Sequence, residues 1–167
     1  MRRPLLIWGT LALAMIALDQ WIKYLVVTGM DLYQRIELLP FLSLYRTENT
    51  GISFSLLAGQ STWLLIAVAL AVTVFILVLA WRSEPHQHFA RAGFALIVAG
   101  AVGNLIDRAT LGYVVDYVLF HTPAWSFAVF NLADANISVG AAFVILQELV
   151  DWRRPRAKPD ADGSGSA

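Results

Sequence analysis

The sequence predicts an all-α membrane protein: four transmembrane helices, a small extracytoplasmic β-hairpin or sheet, and an interfacial segment on the outer face. Composition is the first reason, because 58% of the 167 residues are hydrophobic and 14% are charged, whereas about a quarter of a soluble domain is charged. The second reason is the presence of four apolar stretches, each close to the roughly 20 residues that cross a bilayer as a helix. The third is that the polar residues near these stretches gather at one end of them.

The predicted spans are residues 5–27, 63–81, 89–106 and 133–150. Trp63 and Trp81 flank the second span, as residues at a membrane interface often do. In the third span, Ala95, Ala99 and Gly103 follow one another at intervals of four residues, a spacing of small side chains that favours close helix contact.

The first span has an alternative interpretation as a cleaved signal peptide, since Arg2 and Arg3 precede an apolar run that contains "ALA" at 12–14. However, the apolar run continues beyond that site without a polar break. A retained transmembrane helix is therefore the favoured interpretation.

The distribution of positive charge predicts the orientation of the bundle, because Lys and Arg concentrate in cytoplasmic segments. The long connections 28–61 and 107–132 contain few of them, namely Arg35, Arg46 and Arg108. The other segments contain Arg2, Arg3, Arg82, Arg91, Arg153, Arg154, Arg156 and Lys158. We therefore expect both termini in the cytoplasm, one integral membrane domain over 1–152, and a disordered cytoplasmic tail over 153–167.

The first outer connection shows alternating polarity in "FLSLYR" and "GISFSL", with "TENTG" between them. This pattern predicts a hairpin with its turn near Asn49 to Gly51. The segment 109–130 is rich in apolar and aromatic residues and is expected to lie in the interface.

In this orientation, the polar residues of the spans and outer connections converge on the outer face. They are Asp19, Lys23, Asn49, Asn104, Asp107, Arg108, Asp116, Asn131, Asp134 and Asn136. Polar groups are costly in a membrane, and those that are kept usually have a function.

Two acids in this set are candidates for chemistry. Asp134 lies three residues after Asn131, which is the spacing of a helix capping box. Asp116 is flanked by valines and aromatics, so burial should raise its pKa. Two such acids at one interface indicate a pair that shares a proton, in which one member takes a proton from water while the other activates a carbonyl. Asp19 and Lys23 are four residues apart and are expected to form a supporting ion pair.

Several function classes are disfavoured. The formal net charge is zero, which gives no long-range field for nucleic acid. The chain has no cysteine, no G-x-S-x-G and no H-E-x-x-H. His86 and His88 lie in the predicted cytoplasmic connection and His121 stands alone, so we predict no metal site and no cofactor.

Five motifs in order along the chain resemble the bacterial lipoprotein signal peptidase family, signal peptidase II. They are "DQWIK" (19–23), "NTGISF" (49–54), "GNLIDR" (103–108), "VVDY" (114–117) and "FNLADAN" (130–136). The chain departs from the family pattern at Ile52, where a small residue is usual, and at Ala99, where glycine is common. Neither departure involves an acid.

The resemblance implies a metal-free aspartyl endopeptidase that cleaves prolipoproteins just before the diacylglyceryl-modified cysteine of the lipobox. By position, Asp116 and Asp134 match the catalytic pair. Residues matching those that position the substrate are Asn49, Asn104, Arg108 and Asn131, and Asp19 and Lys23 match a supporting polar pair. The resemblance also implies a multi-pass protein of the bacterial inner membrane, in contact with lipid, with its active site at the periplasmic face; we expect a monomer.

Two alternatives use the same residues differently. A small transporter or proton pathway could use membrane carboxylates, but its sites would be expected near the bilayer midplane and between internal repeats. A non-enzymatic assembly or binding protein would not need a second acid.

Overall fold

The structure is a computed structural model and describes residues 2–51 and 62–153, with side chains from residue 6 onward. Its elements in chain order are α1 (Arg2–Gly29), β1 (Arg35–Leu39), β2 (Leu42–Asn49), α2 (Thr62–Arg82), α3 (His88–Thr110), β3 (Val114–Thr122), β4 (Trp125–Ser126) and α4 (Leu132–Arg153). Ile52, the second half of the predicted hairpin and most of the predicted tail lie outside the described residues.

The four helices are long and apolar enough to cross a membrane, as predicted. Many of their large apolar side chains face outward rather than into a core. On α2, for example, Trp63, Phe75 and Trp81 are exposed, and only Leu65 and Thr73 are buried. An apolar exterior of this kind suits a surface that contacts lipid rather than water.

Helix α3 is the central helix, because it packs against each of the other three. Its contact with α4 is close enough to require glycine. A Cβ on Gly93 would lie 2.5 Å from the carbonyl oxygen of Gly140, and one on Gly100 would overlap the carbonyl of Ala133. Ala95 and Ala99 are buried as their spacing suggested, but the tightest α3–α4 contacts lie on the face of Gly93 and Gly100. Such contacts let two helix backbones approach in the absence of a hydrophobic driving force.

The strands form one antiparallel sheet in the order β1-β2-β3-β4. A turn at Pro40 and Phe41 joins β1 to β2, and β2 ends at Asn49. The predicted turn near Asn49 to Gly51 stays a prediction, because the second strand of that hairpin lies outside the described residues; at the turn itself, the N–H of Gly51 donates to Asn49 Oδ1 at 3.0 Å. Asn49 pairs with Val114 of β3, and Thr47 pairs with Asp116. The alternation in the sequence identified a strand, but it carried no information about the partner strand, which comes from residues far away along the chain.

The segment predicted to be interfacial forms β3 and β4. The inner face of β3 contributes Val115 and Tyr117 to a small core with Val26 and Met30 at the end of α1. This core joins the sheet to the end of the bundle at which α1 and α3 finish and α4 begins. We call that end the site end.

Candidate active site

Asp116 is the third residue of β3 and is 2% exposed. Each of its carboxyl oxygens accepts one amide hydrogen bond: Oδ1 from Asn131 Nδ2 at 2.7 Å, and Oδ2 from Asn49 Nδ2 at 2.9 Å. Burial raises the pKa of Asp116 to about 7, and the negative charge of Asp134 adds to the rise, whereas the two amide bonds oppose it. Asp116 is therefore able to hold a proton near neutral pH.

Asp134 lies in the first turn of α4, where Asn131 caps the helix. The backbone N–H of Asn131 donates to Asp134 Oδ2 at 3.2 Å, and the backbone N–H of Asp134 donates to Asn131 Oδ1 at 3.0 Å. These reciprocal bonds are those of the capping box that the spacing predicted. The other oxygen of Asp134 accepts from Asn104 Nδ2 at 2.8 Å. A carboxylate is favoured at this position because the helix N-terminus is positive.

Asn131 links the two acids. Its side chain donates to Asp116, while its backbone N–H and Oδ1 bond to Asp134. The side chain also approaches Asn104 Oδ1 at 3.2 Å, and the residue is fully buried. A single asparagine is thus bonded to both candidate catalytic carboxyl groups.

The start of α4 is held by residues from two other parts of the chain, β3 and α1. The N–H of Leu132 donates to the hydroxyl of Tyr117 at 3.2 Å, and the N–H of Ala133 donates to Asp19 Oδ1 at 2.9 Å. Together with Asn131, these acceptors satisfy donors that a helix N-terminus otherwise leaves unpaired. Burial raises the pKa of Tyr117 to about 12, so its hydroxyl stays protonated. The first turn of α4, and with it Asp134, is therefore rigidly placed.

The predicted ion pair is present, with 2.9 Å between Lys23 Nζ and Asp19 Oδ2. Lys23 Nζ makes two further contacts, with Asp107 Oδ2 at 2.9 Å and with Asn104 Oδ1 at 3.0 Å. Asp107 also accepts from the backbone N–H of Val115 at 3.2 Å, next to Asp116 on β3. We call Asp19, Lys23 and Asp107 the charge cluster.

The sequence placed Asp107 in the polar set at the outer face without a role in the site, and it did not single out Tyr117. A signal for Asp107 was available, because it lies three residues after Asn104 and so shares its helix face. No comparable signal pointed to Tyr117, whose hydroxyl matters only because β3 passes the end of α4.

Arg108 lies beside the acids and is partly buried. Its NH2 group donates to the backbone oxygen of Gly51 at 2.6 Å, and its charge interacts with Asp134 and Asp116. Its buried Nε has no hydrogen-bond partner among the described residues. Arg108 is thus placed to hold the backbone that leads away from Asn49 and to offer a donor at the site.

Two cavities meet at this polar cluster. One, of about 220 Å³, lies between α2 and α3 and has apolar walls that include Leu65, Val68 and Val72. The other, of about 390 Å³, lies between α4 and the segment 127–130. Asn49 and Asp134 line both cavities. The two cavities together are suited to a bound molecule that has apolar parts on both sides of a polar group.

Two polar residues noted in the sequence, Asn136 and His121, lie outside the hydrogen-bond network of the two acids. Asn136 is buried on α4, and its Nδ2 has no hydrogen-bond partner among the described residues. His121 contacts Ser43 and Arg35 on the sheet at 2.8 Å each. Within the described ranges, no group of three or more His, Cys, Asp or Glu residues could hold a metal ion.

Comparison with known proteins identifies the family. The family model of signal peptidase (SPase) II matches residues 11–150. The chain belongs to the signal peptidase II family. Membership makes it a multi-pass membrane protein and a protease that processes signal peptides.

Relatives and solved structures agree with the family model. A lipoprotein signal peptidase of Mesorhizobium japonicum is 55% identical over 154 residues, covering 91% of this chain and 92% of the relative. One from Brucella ovis is 57% identical over 152 residues, covering 90% and 95%. A bacterial membrane enzyme solved at 2.3 Å resolution matches with a TM-score of 0.76 and 26% identity, over 92% of this chain and 93% of that one. The fold is therefore shared with an enzyme of the membrane.

Proposed function

We propose that the chain is an aspartyl endopeptidase that removes signal peptides from prolipoproteins by cleaving before the diacylglyceryl-modified cysteine of the lipobox. The observation that carries this proposal is a pair of carboxyl groups on β3 and α4, both bonded to Asn131. The relatives at 55% and 57% identity bear the name lipoprotein signal peptidase, which supports the substrate class.

The environments of the two acids support different roles. Asp116 is buried in the sheet with a pKa raised to about 7, which suits the acid that carries the shared proton. Asp134 accepts two N–H groups at a helix N-terminus, which suits the ionised acid. In the proposed reaction, Asp134 takes a proton from water as the water oxygen attacks the scissile carbonyl carbon. Asp116 protonates the carbonyl oxygen of the resulting tetrahedral intermediate.

The intermediate then collapses with the same two groups acting in reverse. Asp134 returns its proton to the leaving nitrogen as the C–N bond breaks, and Asp116 recovers a proton from a hydroxyl of the intermediate. The products are a signal peptide with a new carboxyl terminus and a lipoprotein with the cysteine at its amino terminus. The two carboxyl groups are sufficient for every proton transfer in this scheme.

The remaining residues of the site position the reactants. Asn104 and Asn131 hold the carboxyl groups, and Arg108 and Asn49 lie where the substrate backbone would pass. The two apolar cavities beside Asp134 suit a substrate whose peptide and acyl chains are both apolar.

Cleavage of a synthetic diacylated lipobox peptide by the purified protein in detergent tests the activity directly. We expect a single cut before the lipidated cysteine, identified by mass, that persists in EDTA. The unlipidated peptide is the matched control and should be cut far more slowly. Cleavage at another bond would contradict the proposed substrate, and loss of activity in EDTA would contradict the proposed chemistry.

The concentration of positive charge at the opposite end supports a periplasmic site. Glu37 on β1 and Glu84 between α2 and α3 are both exposed, which makes them a matched pair for labelling. We expect an impermeant thiol reagent to label Glu37→Cys but not Glu84→Cys in spheroplasts. Labelling of Glu84→Cys alone would invert the topology.

A further inference from the structure

Lys23 does more than neutralise Asp19. Its ammonium contacts three acceptors within 3.0 Å: Asp19 on its own helix, and Asp107 and Asn104 on α3. An ammonium has three hydrogens to donate, so these acceptors use all of them. The side chain is almost completely buried, and its position is therefore defined by these contacts.

Through this contact Lys23 determines which way the Asn104 amide points. Asn104 Oδ1 accepts from Lys23 and faces Asn131 Nδ2, which leaves Asn104 Nδ2 to donate to Asp134 Oδ1 at 2.8 Å. A flipped amide would place its NH₂ group against an ammonium and a second NH₂ group, and its oxygen against a carboxylate. Only one orientation is therefore compatible with the charges on both sides.

Lys23 also acts on Asp116 by its charge. Within the described residues, the charged groups that face Asp116 from neighbouring elements are Lys23 of α1, Arg108 and Asp107 of α3, and Asp134 of α4. The charge of Lys23 lowers the pKa of Asp116, against the effect of burial. In the charge cluster, two carboxylates and one ammonium leave a net charge of −1. Changing that charge should change the proton affinity of Asp116.

We propose that Lys23 is a positioning residue of the aspartate pair, acting on Asp134 through the amide of Asn104 and on Asp116 through its charge. This inference rests on the proposed aspartyl mechanism. It assigns the charge cluster a role in the reaction in addition to its role in holding the helices together.

Three variants separate the two effects. Lys23→Met keeps the length of the side chain but leaves the charge cluster at −2 without a donor to Asn104. Asp107→Asn keeps the shape and brings the cluster to zero. The double variant Lys23→Met/Asp107→Asn restores the net charge of −1 but still lacks the donor. Glu37→Gln, which removes an exposed carboxylate on the sheet, is the control.

The readouts are the pH profile of cleavage and an infrared titration of Asp116, whose carboxylic C=O band is assigned by its loss in Asp116→Asn. We expect Lys23→Met to move the alkaline limb and the titration upward by roughly one pH unit, and Asp107→Asn to move both downward. The double variant should return to the wild-type position. Its kcat should nevertheless stay roughly ten- to a hundredfold low, since the bond to Asn104 is missing.

A purely structural role predicts a different result. Shifts in the same direction for both single variants, or no shift beyond that of Glu37→Gln, would overturn the electrostatic part. A double variant with wild-type kcat would overturn the positioning of Asn104. If Lys23→Met does not fold, Asp107→Asn and the double variant decide both points. An inactive wild-type protein would overturn the proposed function, whereas the infrared titration would still decide the effect of Lys23 on Asp116.

Discussion

Helices α3 and α4 carry buried polar groups at both ends of their contact, but the two ends are built differently. At the end opposite the site, Gln147 is 2% exposed, accepts from the N–H of Phe89, and donates to Asp151. Gln87 donates to the other oxygen of Asp151. These bonds tie together the start of α3 and the end of α4 with a single acid, which suits a structural role.

The site end has three acids around Lys23 and Asn131 and a fourth, Asp116, on the sheet, and Asp134 opens to two cavities. There burial raises the pKa of one carboxyl group, that of Asp116, to about 7, against the opposing effect of its two amide hydrogen bonds. The comparison indicates that buried polarity alone does not mark a reactive site. The site end differs in that its acids outnumber its bases beside two cavities, and this difference supports our proposal that it is the reactive end.

The largest expected effect is the loss of cleavage when either candidate catalytic acid becomes asparagine. Asn has nearly the shape of Asp but cannot exchange the proton, so Asp116→Asn and Asp134→Asn should each reduce kcat by about a thousandfold or more. Because the acids act as a unit, the double variant should be scarcely worse than either single one. Asp151→Asn, at the opposite end, is the matched control and should keep its activity. Near-normal turnover by Asp116→Asn would refute the aspartyl mechanism.

The next effect concerns stability. Asp19→Ala removes one of the two carboxylates that contact Lys23 and also the acceptor for the N–H of Ala133. Because a hydrogen bond to a charged group contributes about 1.5–3 kcal/mol, the two losses should lower the free energy of unfolding by roughly 3–6 kcal/mol. Gln147→Ala removes neutral bonds only and should cost about 1–3 kcal/mol. Thermal unfolding in one detergent, followed by circular dichroism, compares the two. Equal losses would mean that charge adds nothing to the site end.

The pH dependence of cleavage gives a smaller effect. Asp116 is protonated below pH about 7 and ionised above it, so kcat should fall as the pH rises through about 7. The bond from Asn49 lowers the pKa of Asp116. Asn49→Ala should therefore move this limb to higher pH, and it should reduce cleavage without removing either limb. A limb that moved to lower pH would show that Asn49 does not act on Asp116.

The smallest effect is expected at Tyr117. Tyr117→Phe keeps the buried ring but removes the acceptor for the N–H of Leu132, which should cost about 1 kcal/mol of stability. Because Asp134 still has its capping box, kcat should fall less than tenfold. A loss as large as that of Asp134→Asn would give the hydroxyl a direct part in the reaction.

Features that depend on neighbouring residues were predictable from the sequence. Four runs of apolar residues predicted four helices because the length of a span is a local property. The capping box of Asn131 and Asp134 was readable for the same reason, since it joins residues three apart. The ion pair of Asp19 and Lys23 was also predictable, because the two residues are one helical turn apart.

The remaining features were decided by the tertiary structure. Asp19 meets the N–H of Ala133 across 114 residues of chain, and Gln20 meets Asp107 across 87. The pairing of β2 with β3 places Asn49 against Asp116, which lies 67 residues away along the chain. A sequence pattern states which groups each element offers, but a hydrogen bond needs two atoms within about 3 Å. Only the packing of α1, α3, α4 and the sheet brings those atoms together, and so only the fold determines which acid keeps its proton.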